Sequence, residues 1–185
     1  MQFNLSTVES PIGQLLLVTD EQKRVRALEF SDHETRLRRL LREHYGSVEL
    51  VTTTAPEEIV TALGNYFSGD LNAFDNVVTE TNGTELQRQV WAALRAIPGG
   101  LTTSYGEMAR GLGYADPRMA IDIGAANGAN PIAIIVPCHR VIAKNGDLKG
   151  YAWGVHRKRW LLEHEGVLGA PQSAAASEEI RLPGF

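Results

Sequence analysis

Apolar side chains at residues 5–8, 15–18 and 25–30 come in short runs, cut by the turn formers Ser10, Pro11 and Gly13 and then by the charged stretch 20–23. That pattern predicts three strands in an antiparallel meander. The spacing then lengthens: Leu37, Leu40, Leu41 and Tyr45 fall on one face of a helix, with Ser31 and Glu34 at capping-box spacing ahead of it. Pro56 opens a second helix carrying Ile59, Leu63, Tyr66 and Phe67. These elements predict a small sheet domain with helices over residues 1–78, and the Gly-, Asn-, Asp- and Thr-rich residues 68–83 read as a linker.

Beyond the linker the period is helical. Thr84 and Gln87 repeat the capping pattern before Val90, Trp91 and Leu94, and Pro98, Gly99 and Gly100 end that helix. Ser104 and Glu107 cap a short helix with Met108, Ala109 and Leu112, closed by Gly113. Asp116 as N-cap and Pro117 as first helical residue open another, running to about Ala126. Two short helices joined by a tight turn fit a helix-turn-helix, although most such pairs only pack a core. Residues 127–131 break the helix, the β-branched run 132–136 reads as a buried strand, residues 144–147 as a hairpin turn, and 155–165 as a last helix. The second domain is thus placed at residues 84–168, with a flexible tail at 169–185.

Composition narrows the class. With 43% hydrophobic and 22% charged residues in 185, the chain is not disordered throughout. No run approaches the ~18 apolar residues of a membrane span, and the N-terminus lacks a secretory layout, so a cytoplasmic protein without membrane contact is expected. The net charge of −4 is unevenly spread: residues 1–85 hold 7 Lys/Arg against 14 Asp/Glu, and residues 86–165 hold 10 against 6. A polyanion would therefore meet the second half, if the asymmetry is more than chance.

One cysteine, Cys138, excludes an internal disulfide and a thiolate-rich zinc site, and the five histidines show no two-His helical metal spacing; no metal is expected. Cys138 follows the apolar run and is flanked by Pro137, His139 and Arg140. A free thiol is only a few per cent ionised near neutral pH, so a working nucleophile needs a base or a positive charge beside it. His139 and Arg140 supply both kinds of group, which favours a nucleophile over an inert core thiol. On a straight strand, neighbours 138 and 139 would face opposite ways, so His139 serves Cys138 only through a bend or a bridging water. Glu163 and Glu165 on the last helix are both candidates to orient the imidazole, and periodicity does not choose between them.

The block Pro137, Cys138, His139, Arg140, Val141 and Ile142 carries the next observation. With residues 127–132 before it and Gly150, Tyr151, Gly154, Lys158, Trp160, Leu161, Leu162 and Glu165 after it, it resembles the active-site region of the O6-alkylguanine-DNA alkyltransferases. The likeness extends back through Gln87, Val90, Trp91, Ile97, Pro98, Ser104, Tyr105 and Gly106.

The resemblance implies an α+β protein: an N-terminal ribonuclease-H-like sheet domain and a mainly helical C-terminal helix-turn-helix domain. It implies that Cys138 takes the alkyl group from O6 of guanine irreversibly, once per molecule and without a cofactor. His139 would accept the thiol proton through water, held by Glu165, and Tyr105 would assist at guanine N3. Tyr151, Ala152, Val141, Asn130 and Trp153 would surround the base. The partner would be double-stranded DNA bound in the minor groove without sequence preference, by a monomer that flips the damaged nucleotide out of the stack.

Two departures matter. The family's wedge arginine, three residues before Gly124, is here Ile121, followed by Asp122; Ile121 itself or Arg118 would have to fill the vacated stack, and Arg140 would add a DNA contact. Trp153 stands where many members have glycine, which would disfavour bulky alkyl groups. Two other functions compete: a lesion sensor that binds without transferring, against which Cys138 speaks, and a cysteine-dependent hydrolase or redox protein. The redox version lacks a resolving cysteine.

Overall fold

The computed structural model describes residues 1–148 and 150–169; all but the first residue of the tail expected at 169–185 lies outside the described residues. Strands β1 (Gln2–Val8), β2 (Leu15–Thr19) and β3 (Val25–Phe30) form the expected antiparallel meander, with Val8 opposite Leu15 and Leu15 opposite Phe30. A fourth strand, β4 (Glu49–Thr52), runs parallel to β1 and completes the order β3-β2-β1-β4. It escaped the sequence reading because none of its four residues is buried, so no alternation marks it.

All five residues of β2 are buried, which is why residues 15–18 read as an unbroken apolar run. Leu16 and Val18 face helix α1 (Glu34–Tyr45) through Leu37 and Leu41. Leu15 and Leu17 face the other way, into a core shared with helix α2 (Glu57–Phe67) and with the second half of the chain. The expected Ser31–Glu34 capping box does not form. The Ser31 N–H is taken by the Gln14 carbonyl at 2.9 Å and Asp32 by Arg157 at 3.0 Å, so the chain makes a 3-10 turn over Ser31–His33 before α1 begins.

In the second half, α3 (Glu85–Arg95) and α4 (Tyr105–Gly111) both start with the predicted capping boxes, Thr84 with Gln87 and Ser104 with Glu107. The next α-helix, α5, spans Met119–Gly128, starting two residues later than Asp116 as N-cap suggested. The N–H groups of Met119, Ala120 and Ile121 bond three residues back, so the first turn is of the tighter 3-10 kind. α5 packs on α4 and α3, giving the helix-turn-helix arrangement. A two-strand parallel pair, β5 (Thr103–Ser104) with β6 (Val141–Ile142), and helix α6 (Val155–His164) complete the fold. Residues 144–147 form a turn, with Gly146 N–H on the Ala143 carbonyl, but no hairpin: β6 pairs in parallel with β5 instead. Among the described residues no helix is long and apolar enough to cross a membrane.

The expected strand at 132–136 is not a strand. Its start is pinned to the first sheet, Leu28 donating to the Pro131 carbonyl at 3.0 Å and Ala133 to the Leu28 carbonyl at 2.8 Å. Between those anchors and the cysteine the chain is all turns, buried among apolar side chains of both halves.

Candidate active site

Two three-residue turns deliver Cys138. Ile135 N–H closes on the Ala133 carbonyl at 2.6 Å around Ile134, whose φ of +66° lies in the left-handed region that a β-branched residue adopts only under strain. Cys138 N–H then closes on the Val136 carbonyl at 2.8 Å across Pro137, whose φ of −82° and ψ of 64° make an inverse γ-turn. Such strain costs on the order of 1–3 kcal/mol and persists only where the surroundings over-determine it. Asn130 is the clamp. Its buried amide donates to the Ile132 and Val136 carbonyls at 3.1 and 2.8 Å and accepts from Ile132 N–H at 3.0 Å. Arg36 of α1 ties the same stretch to the first domain through the Gly128 and Asn130 carbonyls at 2.8 and 3.0 Å, and pairs with buried Glu29 at 2.7 Å.

The chain leaves the second turn as a 3-10 helix, Cys138–Arg140, which supplies the bend that residues 138 and 139 require. Glu165, at the end of α6, gathers this turn: its Oε1 accepts from His139 Nε2 at 2.7 Å, Tyr66 hydroxyl at 2.8 Å and Arg140 Nη2 at 3.0 Å, and its Oε2 from Arg140 Nε at 2.9 Å. Glu165, not Glu163, therefore meets the imidazole. Burial pushes the Glu165 carboxyl up, but the hydrogen bonds and charges of His139 and Arg140 hold it well below the usual carboxylate range. An ionised carboxylate only accepts, so the His139 proton sits on Nε2 and the lone pair on Nδ1. Nδ1 is buried without a hydrogen-bond partner among the described residues, and burial, outweighing Glu165, lowers the imidazole pKa so that it rests neutral.

Burial pushes Cys138 up to about 11, against the Asn130 side chain, Lys158 and Arg36, which pull it down. At rest it is a thiol rather than a poised anion, and its proton must be removed as part of the reaction. Lys158, given no role from sequence, is fully buried and donates from Nζ to the Val141 carbonyl at 2.6 Å. Within the run 157–159 it looked like part of a solvated face. The signal that finds it is spacing, since Leu161, Leu162 and Glu165 lie three, four and seven residues further along the same buried side. Tyr66 was placed only as an apolar core position of α2.

Tyr105 is half-buried beside Gly124 and Gly150, where a Cβ added at Gly150 would stand 3.9 Å from its hydroxyl. Burial and Cys138 raise its phenol pKa, so it remains a donor. Tyr151 is buried with its hydroxyl unpartnered among the described residues, and burial and Cys138 keep it protonated too. Val141 is fully buried in β6, Ala152 half-buried. Trp153 is spent on the junction between the halves: it meets Tyr151 edge-on at 5.1 Å and Phe30 at 6.3 Å, with the Arg36 guanidinium 4.8 Å over its ring. Any narrowing of the base site by Trp153 acts through Tyr151.

On the outer face of α5, Ile121 is 75% exposed, a large apolar side chain with no packing role in the isolated protein, next to exposed Asp122. Arg118 is also exposed, its guanidinium lying against Asp116, with Nη2 at 2.7 Å from Oδ2. Arg140, expected at the DNA surface, is turned inward instead: buried, it spends three of its five N–H donors on Glu165 and the Ile97 carbonyl.

Comparison with known proteins gives two domain matches. Residues 5–81 match the domain described as 6-O-methylguanine DNA methyltransferase, ribonuclease-like domain, and residues 85–167 the 6-O-methylguanine DNA methyltransferase, DNA binding domain. A methylated-DNA–protein-cysteine methyltransferase of Salmonella typhimurium is 50% identical over 163 residues, covering 87% of this chain and 94% of the relative. One of Methanosarcina acetivorans is 41% identical over 166 residues, covering 85% and 95%. Among solved structures, Mycobacterium tuberculosis OGT in complex with DNA superimposes with a TM-score of 0.73 at 40% identity, covering 88% of this chain and 92% of that one.

Proposed function

The chain belongs to the 6-O-methylguanine DNA methyltransferase family, and from that premise we propose that it repairs double-stranded DNA by moving the methyl group of O6-methylguanine irreversibly onto Cys138. The observation that carries this reading is the Glu165–His139 pair in the turn that holds the cysteine: ionised Glu165 accepts from Nε2 of neutral His139, which leaves Nδ1 to take the proton that buried Cys138 must lose to react.

The Cys138 proton passes through one water to Nδ1 of His139, which has no partner among the described residues, as the sulfur attacks the methyl carbon in line. The S–C bond forms, the C–O6 bond breaks, and its electron pair goes to the guanine. Tyr105, still protonated at neutral pH, donates at guanine N3 and neutralises the charge developing on the leaving base. Tyr151, Ala152 and Val141 bound the base site, with Trp153 behind Tyr151, and Lys158 and Arg36 add positive field around the sulfur. The product thioether offers water no route of cleavage, so each molecule acts once.

The damaged base reaches the thiol by flipping out of the duplex, at a cost of about a few kcal/mol. α5 lies along the minor groove, with Ile121 as an apolar wedge and Arg118 beside it. One chain supplies the whole relay, so the protein acts as a monomer, in the cytoplasm. Incubation with duplex DNA bearing O6-methylguanine, followed by intact mass and peptide mapping, tests this. The expected result is a gain of about 14 Da on Cys138, one methyl per molecule, since the acceptor is never regenerated. Binding without adduct would favour the sensor reading, and many turnovers per molecule would favour a hydrolase.

A further inference from the structure

The Glu165 carboxylate is gripped from both halves of the protein. His139 and Arg140 reach it from the cysteine turn, while the Tyr66 hydroxyl reaches it from α2, ninety-nine residues away in sequence and inside the ribonuclease-like domain. Tyr66 is fully buried and packed on Phe74 at 4.9 Å, and its backbone carbonyl takes His164 Nε2 at 2.7 Å, so the phenol is fixed from several sides. It donates to the same oxygen, Oε1, that accepts from His139.

We propose that Tyr66 is a positioning residue for the transfer reaction, tuning through Glu165 how readily His139 takes the thiol proton. The proposal rests on the relay assigned above. A phenol donor draws charge from Oε1, which leaves less for the His139 Nε2–H and makes a cationic imidazole less comfortable. The groups facing His139 are Glu165, which favours its cation, and Arg140 and Lys158, which oppose it; Cys138 precedes it in the same turn. Those facing Tyr66 are Glu165, Arg140, the buried Tyr151 phenol and the His164 ring at 5.2 Å. Arg140 already spends two donors on the carboxylate, so the one contact from the first domain is the adjustable one. The first domain thereby takes part in the chemistry besides holding the cysteine loop.

Tyr66→Phe removes the donor and keeps the ring. Two pH profiles are read on parent and variant: the single-turnover rate of methyl transfer from duplex DNA, and the titration of the His139 imidazole followed by 15N NMR of histidine-labelled protein. The rate falls at low pH as His139 becomes protonated. In the variant both the acidic limb and the imidazole titration are expected to move to higher pH, by roughly half a unit to one unit. A purely structural tyrosine would lower the melting temperature and leave both curves where they were, and that result, or a shift to lower pH, overturns the proposal. Should the parent acquire no methyl group, the repair reading fails while the NMR titration still decides whether Tyr66 governs His139.

Discussion

The cysteine cradle and the outer face of α5 are built on opposite principles. Around Cys138 the side chains of Asn130, His139, Arg140, Lys158 and Glu165 are buried: one asparagine closes three hydrogen bonds across a strained loop, and one carboxylate takes donors from three side chains. On α5, Ile121 stands out in solvent and Arg118 is held only by its neighbour Asp116. The cradle must fix atoms to a fraction of an ångström, and a change there is costly. The helix needs only to lie in a groove and fill a gap, which different side chains can do. The replacement of the usual wedge arginine fell on the tolerant surface, while the relay residues stand intact.

Substitutions in the two regions should therefore differ in size. Asn130→Ala removes all three clamps, leaving the buried Ile132 N–H without its acceptor and the Ile132 and Val136 carbonyls with only their turn hydrogen bonds; about a hundredfold or greater loss in single-turnover rate is expected, with a fall of roughly 3 kcal/mol in stability by chemical denaturation. A loss under about threefold in both would show that the turns hold themselves.

The thiol itself reports burial through pH. Its pKa stands near 11 in the fold against an ordinary value of 9.0, so the folded state favours the protonated form. That contribution is fully present below pH 9 and is lost as pH rises toward 11. The parent should lose roughly 2–3 kcal/mol more than Cys138→Ala over that interval. Parallel stability curves would mean the sulfur is less enclosed than its 2% exposure implies.

On the helix the effects shrink and depend on the substrate. Ile121→Ala is expected to slow transfer from duplex DNA about tenfold and from single-stranded DNA less than about twofold, because only the duplex has a stack to fill. Equal effects on both would remove Ile121 as the wedge. Arg118→Ala should cost about two- to threefold on the duplex, since its guanidinium must first leave Asp116. Unchanged transfer would leave Arg118 without a part in extrusion.

The proposed relay was legible through the resemblance, which singled out Glu165 where periodicity left Glu163 and Glu165 open, and the structure brings Glu165 onto His139. The sequence also showed the meander and both capping boxes of the second half, where local hydrogen bonding and alternation coincide. Three features stayed hidden because their partners are distant in sequence, and a fourth because a local turn leaves no mark on an apolar run. β4 pairs with β1 across forty-seven residues from Gln2 to Glu49, and Tyr66 meets Glu165 ninety-nine residues on. Arg140 looks like a surface cation until Ile97 and Glu165 close over it, and the run 132–136 looks like a strand until Ile134 turns it. Lys158 differs, being readable from the buried period of α6 once the charges beside it are set aside.

Leu15, Leu28 and Tyr66 share one apolar interior with Ile132, Trp153 and Leu161. A chain severed at the exposed pair Gly69 and Asp70 would yield two fragments that each display half of that interior, and they should reassemble when mixed. The catalytic half is accordingly not a transplantable cassette. Grafted elsewhere it would carry its sulfur but arrive with a raw oily flank and an ungoverned imidazole.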